Sequence, residues 1–178
     1  MTKKKIFFVL AIFIILLTSL FIEKDIINKI LYPKKYSDYV EIYSKEFGLD
    51  ENLVYSVIKV ESKFRKDAIS HKGAKGLMQI SDITREWAKE EMNLGDIDIF
   101  DPEINIELGT RYISTLIERY TNIGVALAAY NAGMTSVDKW LREGTISADG
   151  SDIENIPFKE TNNYVRKILR DYEVYKEL

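Results

Sequence analysis

A charge-free run from Ile6 to Ile22, seventeen residues in which only Thr18 and Ser19 are polar, cannot lie on the surface of a water-exposed domain. It stands at the lower edge of the length that spans a bilayer. Lys3-Lys4-Lys5 precedes it and marks the end that stays inside, which puts the rest of the chain outside. The same length suits the apolar core of a cleaved secretory signal, although no small-x-small cleavage site follows Leu20-Phe21-Ile22. A helix buried in a core is the remaining alternative. The expectation is an uncleaved single-pass anchor over residues 1–22, with a membrane as its partner. Residues 23–35 carry Lys24, Lys29, Pro33, Lys34 and Lys35 and form a short linker in which Pro33 ends any helix leaving the membrane.

Residues 36–178 suit one domain with a sizeable core. Residues 1–35 hold seven Lys/Arg against two acids, which leaves 18 against 26 in the body. An acidic body argues against a phosphate backbone as partner, so no nucleic acid is expected. With no cysteine and one histidine, neither a disulfide framework, a thiolate nucleophile nor a zinc site of Cys or three His ligands can be built. A hard-cation site made of carboxylates stays formally open, but no cofactor is implied.

Apolar spacing in the body predicts helices near 36–47, 51–65, 81–93, 102–120, 123–131, 134–142 and 160–176, and alternating strand patterns are scarce. The fold class is therefore mainly α. Asp101-Pro102 supplies a cap and a first-turn proline, and Ile104, Leu108, Tyr112, Leu116 and Tyr120 form a core stripe behind it. Gly73, Gly76, Gly95, Gly124, Gly133 and Gly144 mark breaks between elements, and a short hairpin is expected around 144–157.

One acid sits in the wrong place. Val54, Val57, Ile58 and Glu61 follow i, i+3, i+4, i+7, which puts a carboxylate on the apolar face of the second helix. It either pairs with a Lys or Arg at the helix edge, or is held protonated by partial burial and serves as a general acid. Downstream, the stretch from Ser70 to Gln79 has two glycines and small residues that let backbone approach a ligand, and ends in an amide. Ala128-Ala129-Tyr130-Asn131-Ala132-Gly133 offers an aromatic face and an amide suited to sugar rings, but also reads as a packed helix C-terminus.

Glu61-Ser62, Gly76-Leu77-Met78-Gln79, Ala129-Tyr130-Asn131-Ala132-Gly133 and Pro157-Phe158-Lys159-Glu160-Thr161 before Tyr164-Val165 together resemble, in order and spacing, the motifs of the soluble-lytic-transglycosylase (SLT) domain family. The similarity runs from about Tyr36 to Tyr172 and includes Asp101-Pro102 and Asn105-Ile106 leading to Gly109. It implies a goose-lysozyme-like helical domain over 36–178, facing the wall of a bacterial cell, with peptidoglycan glycan strands as substrate. Glu61 falls on the family's catalytic glutamate, and Ser70, Met78, Gln79, Tyr130, Asn131 and Tyr164 on groove residues around the scissile sugar. The chain departs from the family at Arg65-Lys66, where members often have Asn-Pro.

The implied chemistry needs one carboxylate: Glu61 protonates the glycosidic oxygen between N-acetylmuramic acid and N-acetylglucosamine, then accepts the proton of the muramoyl 6-hydroxyl as it attacks C1. A 1,6-anhydro end results. A hydrolytic muramidase would need a second acid, such as Asp67, Asp82 or Asp96, none at a motif position. His71, in a Lys-flanked turn without a nucleophile elbow, reads as an exposed loop residue. A non-catalytic glycan-binding scaffold is the alternative from another class.

Overall fold

A computed structural model describes residues 26–178, which divide into two units, residues 26–35 with Leu178 and Tyr36–Glu177. The expected anchor over 1–22 lies outside the described residues. No helix among those described is long and apolar enough to cross a membrane. In the first unit residues 26–31 are helical and the helix stops before Pro33, a residue that has no N–H to continue it.

The second unit is helical: α1 (Ser37–Glu46), α2 (Glu51–Glu61), α3 (Asp82–Glu91), α4 (Pro102–Tyr120), α5 (Ile123–Ala132), α6 (Met134–Arg142), a 3₁₀ turn (Ile153–Asn155) and α7 (Lys159–Lys176). Four of them begin on a side-chain cap. Asp50, Ser81, Asp101 and Asn122 each accept from a backbone N–H of the first turn, and Pro102 opens α4. Helix α5 is apolar on every side, with Val125 to Ala129 buried, and is therefore the helix the others surround. It packs on α4, α6 and α7, while α2 makes its main contact with α7.

Four expectations change. Helix α2 stops at Glu61 instead of running to 65, because Lys63 and Phe64 both take positive φ, 54° and 61°. Two consecutive left-handed non-glycine residues are strained, and the buried Phe64 ring together with the Arg65 Nε bond to the Ser62 carbonyl (3.1 Å) holds them there. That bond comes from the residue at which the chain departs from the family motif. The hairpin at 144–157 does not form. Asp152 accepts from both Ser147 N and Ser147 Oγ, and Asn162 Nδ2 donates to the Ile153 and Glu154 carbonyls, so side chains take backbone groups that a ladder would need. Gly124 is no break but a buried first-turn residue of α5, where an added Cβ would lie 3.2 Å from Ile153 Cγ2. In the α4 stripe Leu108, Leu116 and Tyr120 are buried as expected, whereas Ile104 and Tyr112 are only half-buried, the Tyr112 ring lying tilted between those of Trp87 (5.1 Å) and Tyr130 (5.5 Å).

Candidate active site

The apolar stripe of α2 carries Glu61 to the helix C-terminus, where it lines an open cleft of about 220 Å³. Val54, Val57 and Ile58 below it are fully buried, so the carboxyl is held at the edge of a dry core. Burial pushes its pKa from 4.5 up to about 7, and a hydrogen bond from Tyr164 opposes the rise. Tyr164, on α7, donates from Oη to Glu61 Oε1 at 2.6 Å. Burial and the neighbouring carboxylate raise the pKa of this phenol well above its usual value, so it remains a donor at any physiological pH.

The opposite wall comes from the loop between α2 and α3. Ser70 accepts the Ala74 N–H on its own Oγ (3.0 Å), closing the turn that presents His71 and Lys72. Gly76 has φ of 79°, and a Cβ there would collide with the Asn105 side chain. Asn105, fully buried in α4, accepts from Met78 N (2.7 Å) and donates to the carbonyls of Lys75 (3.1 Å) and Ile99 (2.9 Å), clamping the loop from beneath. Gln79 is left-handed at φ 52°, and its Nε2 donates to the carbonyls of Gly76 (2.9 Å) and Ala68 (3.2 Å).

Helix α5 ends in Tyr130-Asn131 beside this loop. Tyr130 Oη donates to the Met78 carbonyl at 2.8 Å, and Asn131 Oδ1 accepts from Thr161 Oγ1 of α7, also at 2.8 Å. Burial and Glu61 raise the Tyr130 pKa, so its proton stays in that bond. Glu61, Ser70, Gln79, Tyr130 and Asn131 thus line one cleft, with Tyr164 against Glu61. Met78 stands apart: its side chain is fully buried, packed where Gly109 leaves room for it, and only its backbone meets the cleft loop.

Lys72 and Glu160 also line the cleft and reach each other at 3.4 Å, joining the loop to the start of α7. The sequence places Lys72 in the Ser70–Gln79 stretch and Glu160 in the Pro157–Thr161 motif but gives no cue that they meet. His71, expected in an exposed loop, is exposed and lies along the same cleft. Asp67, Asp82 and Asp96 do not line it, and Asp82 is engaged by Lys75 (3.0 Å) and Arg85 (3.6 Å). Among the described residues no three His, Asp or Glu side chains cluster to hold a metal.

The family described as "Transglycosylase SLT domain" matches residues 38–151. The chain belongs to this family. The matched segment of the SLT domain contains Glu61 and the cleft loop and stops before Tyr164, which the fold itself returns to Glu61. A putative soluble lytic murein transglycosylase of Haemophilus influenzae is 32% identical over 82% of this chain and 25% of its own. A membrane-bound lytic murein transglycosylase C of Salmonella arizonae is 30% identical over 80% of this chain and 46% of its own. An inactive mutant of the lytic transglycosylase Slt from Pseudomonas aeruginosa superposes with a TM-score of 0.77 at 30% identity, covering 84% of this chain and 25% of that one. This SLT chain spans about a quarter of the soluble relative and under half of the membrane-bound one.

Proposed function

We propose that the chain is a lytic transglycosylase that cleaves the bond between N-acetylmuramic acid and N-acetylglucosamine in peptidoglycan, with Glu61 as its single acid/base. The observation that carries the proposal is a carboxyl at the end of an apolar helix stripe that lines the cleft and is hydrogen-bonded by a buried phenol, a setting in which burial pushes its pKa up to about 7. Near neutral pH such a group is present in both protonation states, as a residue that must first give and then take a proton requires. The names of the relatives support the substrate class.

In the first step Glu61 donates its proton to the glycosidic oxygen as the bond to C1 breaks. In the second the muramoyl 6-hydroxyl attacks C1 and its proton returns to the Glu61 carboxylate. The nucleophile belongs to the sugar, so no water is consumed and no second carboxylate is needed. Tyr164 holds one lobe of the carboxyl, leaving the other for the sugar oxygen. Gln79, Tyr130, Asn131 and Ser70 contact the glycan, and Met78 acts beneath them by fixing the loop through its backbone.

A muramidase reading has one point in its favour, that Glu160 is a second carboxylate in the same cleft. Its pairing with Lys72 and its exposure make it a poor base for water activation. Mass analysis of fragments released from isolated cell walls by the full-length chain decides the matter. Anhydro ends lacking one water support the transglycosylase, reducing ends support the muramidase, and no release with intact wall binding supports a scaffold. We further propose that residues 1–22 anchor the chain in the cell membrane with the SLT domain facing the wall, on the strength of the Lys3-Lys4-Lys5 flank and the charge-free run.

A further inference from the structure

Tyr164, Ile168, Asp171 and Tyr175 recur at i, i+4, i+7 and i+11 on α7, and all four are buried against the domain core. Asp171 is thus a second acid on an apolar stripe, the same anomaly that singles out Glu61. Its side chain is 0% exposed and accepts from Lys59 Nζ at 2.6 Å, a lysine whose own side chain is only 20% exposed. Arg170 covers the other oxygen at 2.7 Å.

An ion pair in this position gives little net stability, since well-packed apolar side chains of similar volume do as well or better. What it supplies is geometry. Lys59 lies two residues before Glu61 on α2, and Asp171 lies two turns beyond Tyr164 on α7. The pair therefore ties together the same two helices that must bring Tyr164 to Glu61. Sliding α7 by a single residue displaces Asp171 by about 1.5 Å, which stretches the 2.6 Å contact and drags the largely buried Lys59 stem out of its packing. Apolar contacts along the interface, such as the Tyr55–Tyr175 stack at 5.6 Å, tolerate such a slip far better.

We propose that Lys59 and Asp171 are positioning residues whose buried ion pair sets the register of α7 on α2 and so holds the Tyr164 hydroxyl on Glu61. They touch no substrate, and they matter for turnover only if Glu61 is the acid/base proposed above. Tyr164 from α7 and Tyr130 from α5 face the Glu61 carboxyl, His71 and Lys72 of the cleft loop and Glu160 of α7 line the same cleft, and the variants below alter none of them.

The test follows the Glu61 titration in the full-length chain by carbon NMR of labelled glutamate side chains, the Glu61 signal being assigned by its loss in Glu61→Gln. This readout needs no activity. In Lys59→Met combined with Asp171→Leu, which leaves no buried charge unpaired, the chain stays folded and the Glu61 midpoint rises by about one pH unit toward that of Tyr164→Phe. Turnover of cell walls falls about tenfold with KM nearly unchanged, while Lys59→Arg alone, which keeps a cation on Asp171, leaves both readouts close to wild type. Should the double variant not fold, Lys59→Gln carries the same measurement with Arg170 still on Asp171. A folded variant lacking the pair but keeping the wild-type Glu61 midpoint overturns the proposal. If the midpoint moves as expected while the wild type releases nothing from walls, the positioning role stands and the transglycosylase reading falls.

Discussion

Tyr164 Oη lies 2.6 Å from Glu61 Oε1, a contact between residues 103 apart in sequence that joins the last helix of the domain to the second. A donor so placed favours the ionised carboxyl, and it is the one interaction that offsets the rise caused by burial. Tyr164→Phe removes it, so the Glu61 pKa climbs above about 7 and the alkaline limb of the pH–rate profile moves up with it. Because proton transfer itself stays with Glu61, activity drops by about tenfold, well short of the 10²–10⁴ that general acid–base catalysis contributes. A loss as severe as that of Glu61→Gln, in a folded variant, contradicts this division of roles.

The cleft loop depends on Gly76 in a way that Gly73 does not share. Both have positive φ, 79° and 82°, but a Cβ at Gly73 meets nothing whereas one at Gly76 strikes the Asn105 amide that holds three backbone groups of the surrounding loops. Gly73→Ala should cost about 1 kcal/mol of backbone strain alone. Gly76→Ala adds the displacement of a buried hydrogen-bonded side chain, for a total of about 3 kcal/mol or more. Urea unfolding midpoints of the two variants measure the contrast, and equal midpoints would show that Asn105 yields freely.

Much of this domain was legible in the chain because its signals are local. Caps at Asp50, Ser81, Asp101 and Asn122 start helices where side chains can reach their own first turn, and the apolar stripe of α2 points to Glu61 without knowledge of its neighbours. What escaped is long-range or unfavourable by itself. The end of α2 depends on two strained residues, Lys63 and Phe64, that local propensity disfavours and a buried ring enforces. Met78 looked like a groove residue because its motif lines the cleft, yet the space left by Gly109 takes its side chain inward. The Lys59–Asp171 pair could have been suspected, since Asp171 breaks an apolar stripe as Glu61 does; its partner, 112 residues away, could not.

Topology is tested separately. If residues 1–22 anchor the chain with its body outside, protease added to intact cells stripped of their wall digests residues 36–178 and leaves a small membrane-bound remnant. Protection of the body from protease refutes this orientation, and a mature chain starting after Ile22 identifies a cleaved signal.

Replacing Glu61 with glutamine separates its chemical role from its structural cost. The amide keeps the shape and can still accept from Tyr164, but it neither gives nor takes the proton, so wall cleavage falls by about 10⁴-fold. Stability moves the other way, and the sign follows from proton binding. The folded-state pKa is raised from 4.5 to about 7, so at low pH the carboxyl is protonated in both folded and unfolded chains and its ionisation costs nothing. Between pH 4.5 and 7 the unfolded chain releases its proton while the folded one retains it, and stability falls as pH rises. Above that window the penalty levels off near 3 kcal/mol, at about 1.4 kcal/mol per unit of pKa difference. Glutamine has no ionisation to penalise. The difference in unfolding free energy between variant and wild type should therefore grow in the variant's favour from pH 4.5 to 7 and then stay flat. Urea titrations at pH 4, 5.5 and 8 measure it, and a difference independent of pH would mean that the Glu61 carboxyl is not held above its ordinary value at all.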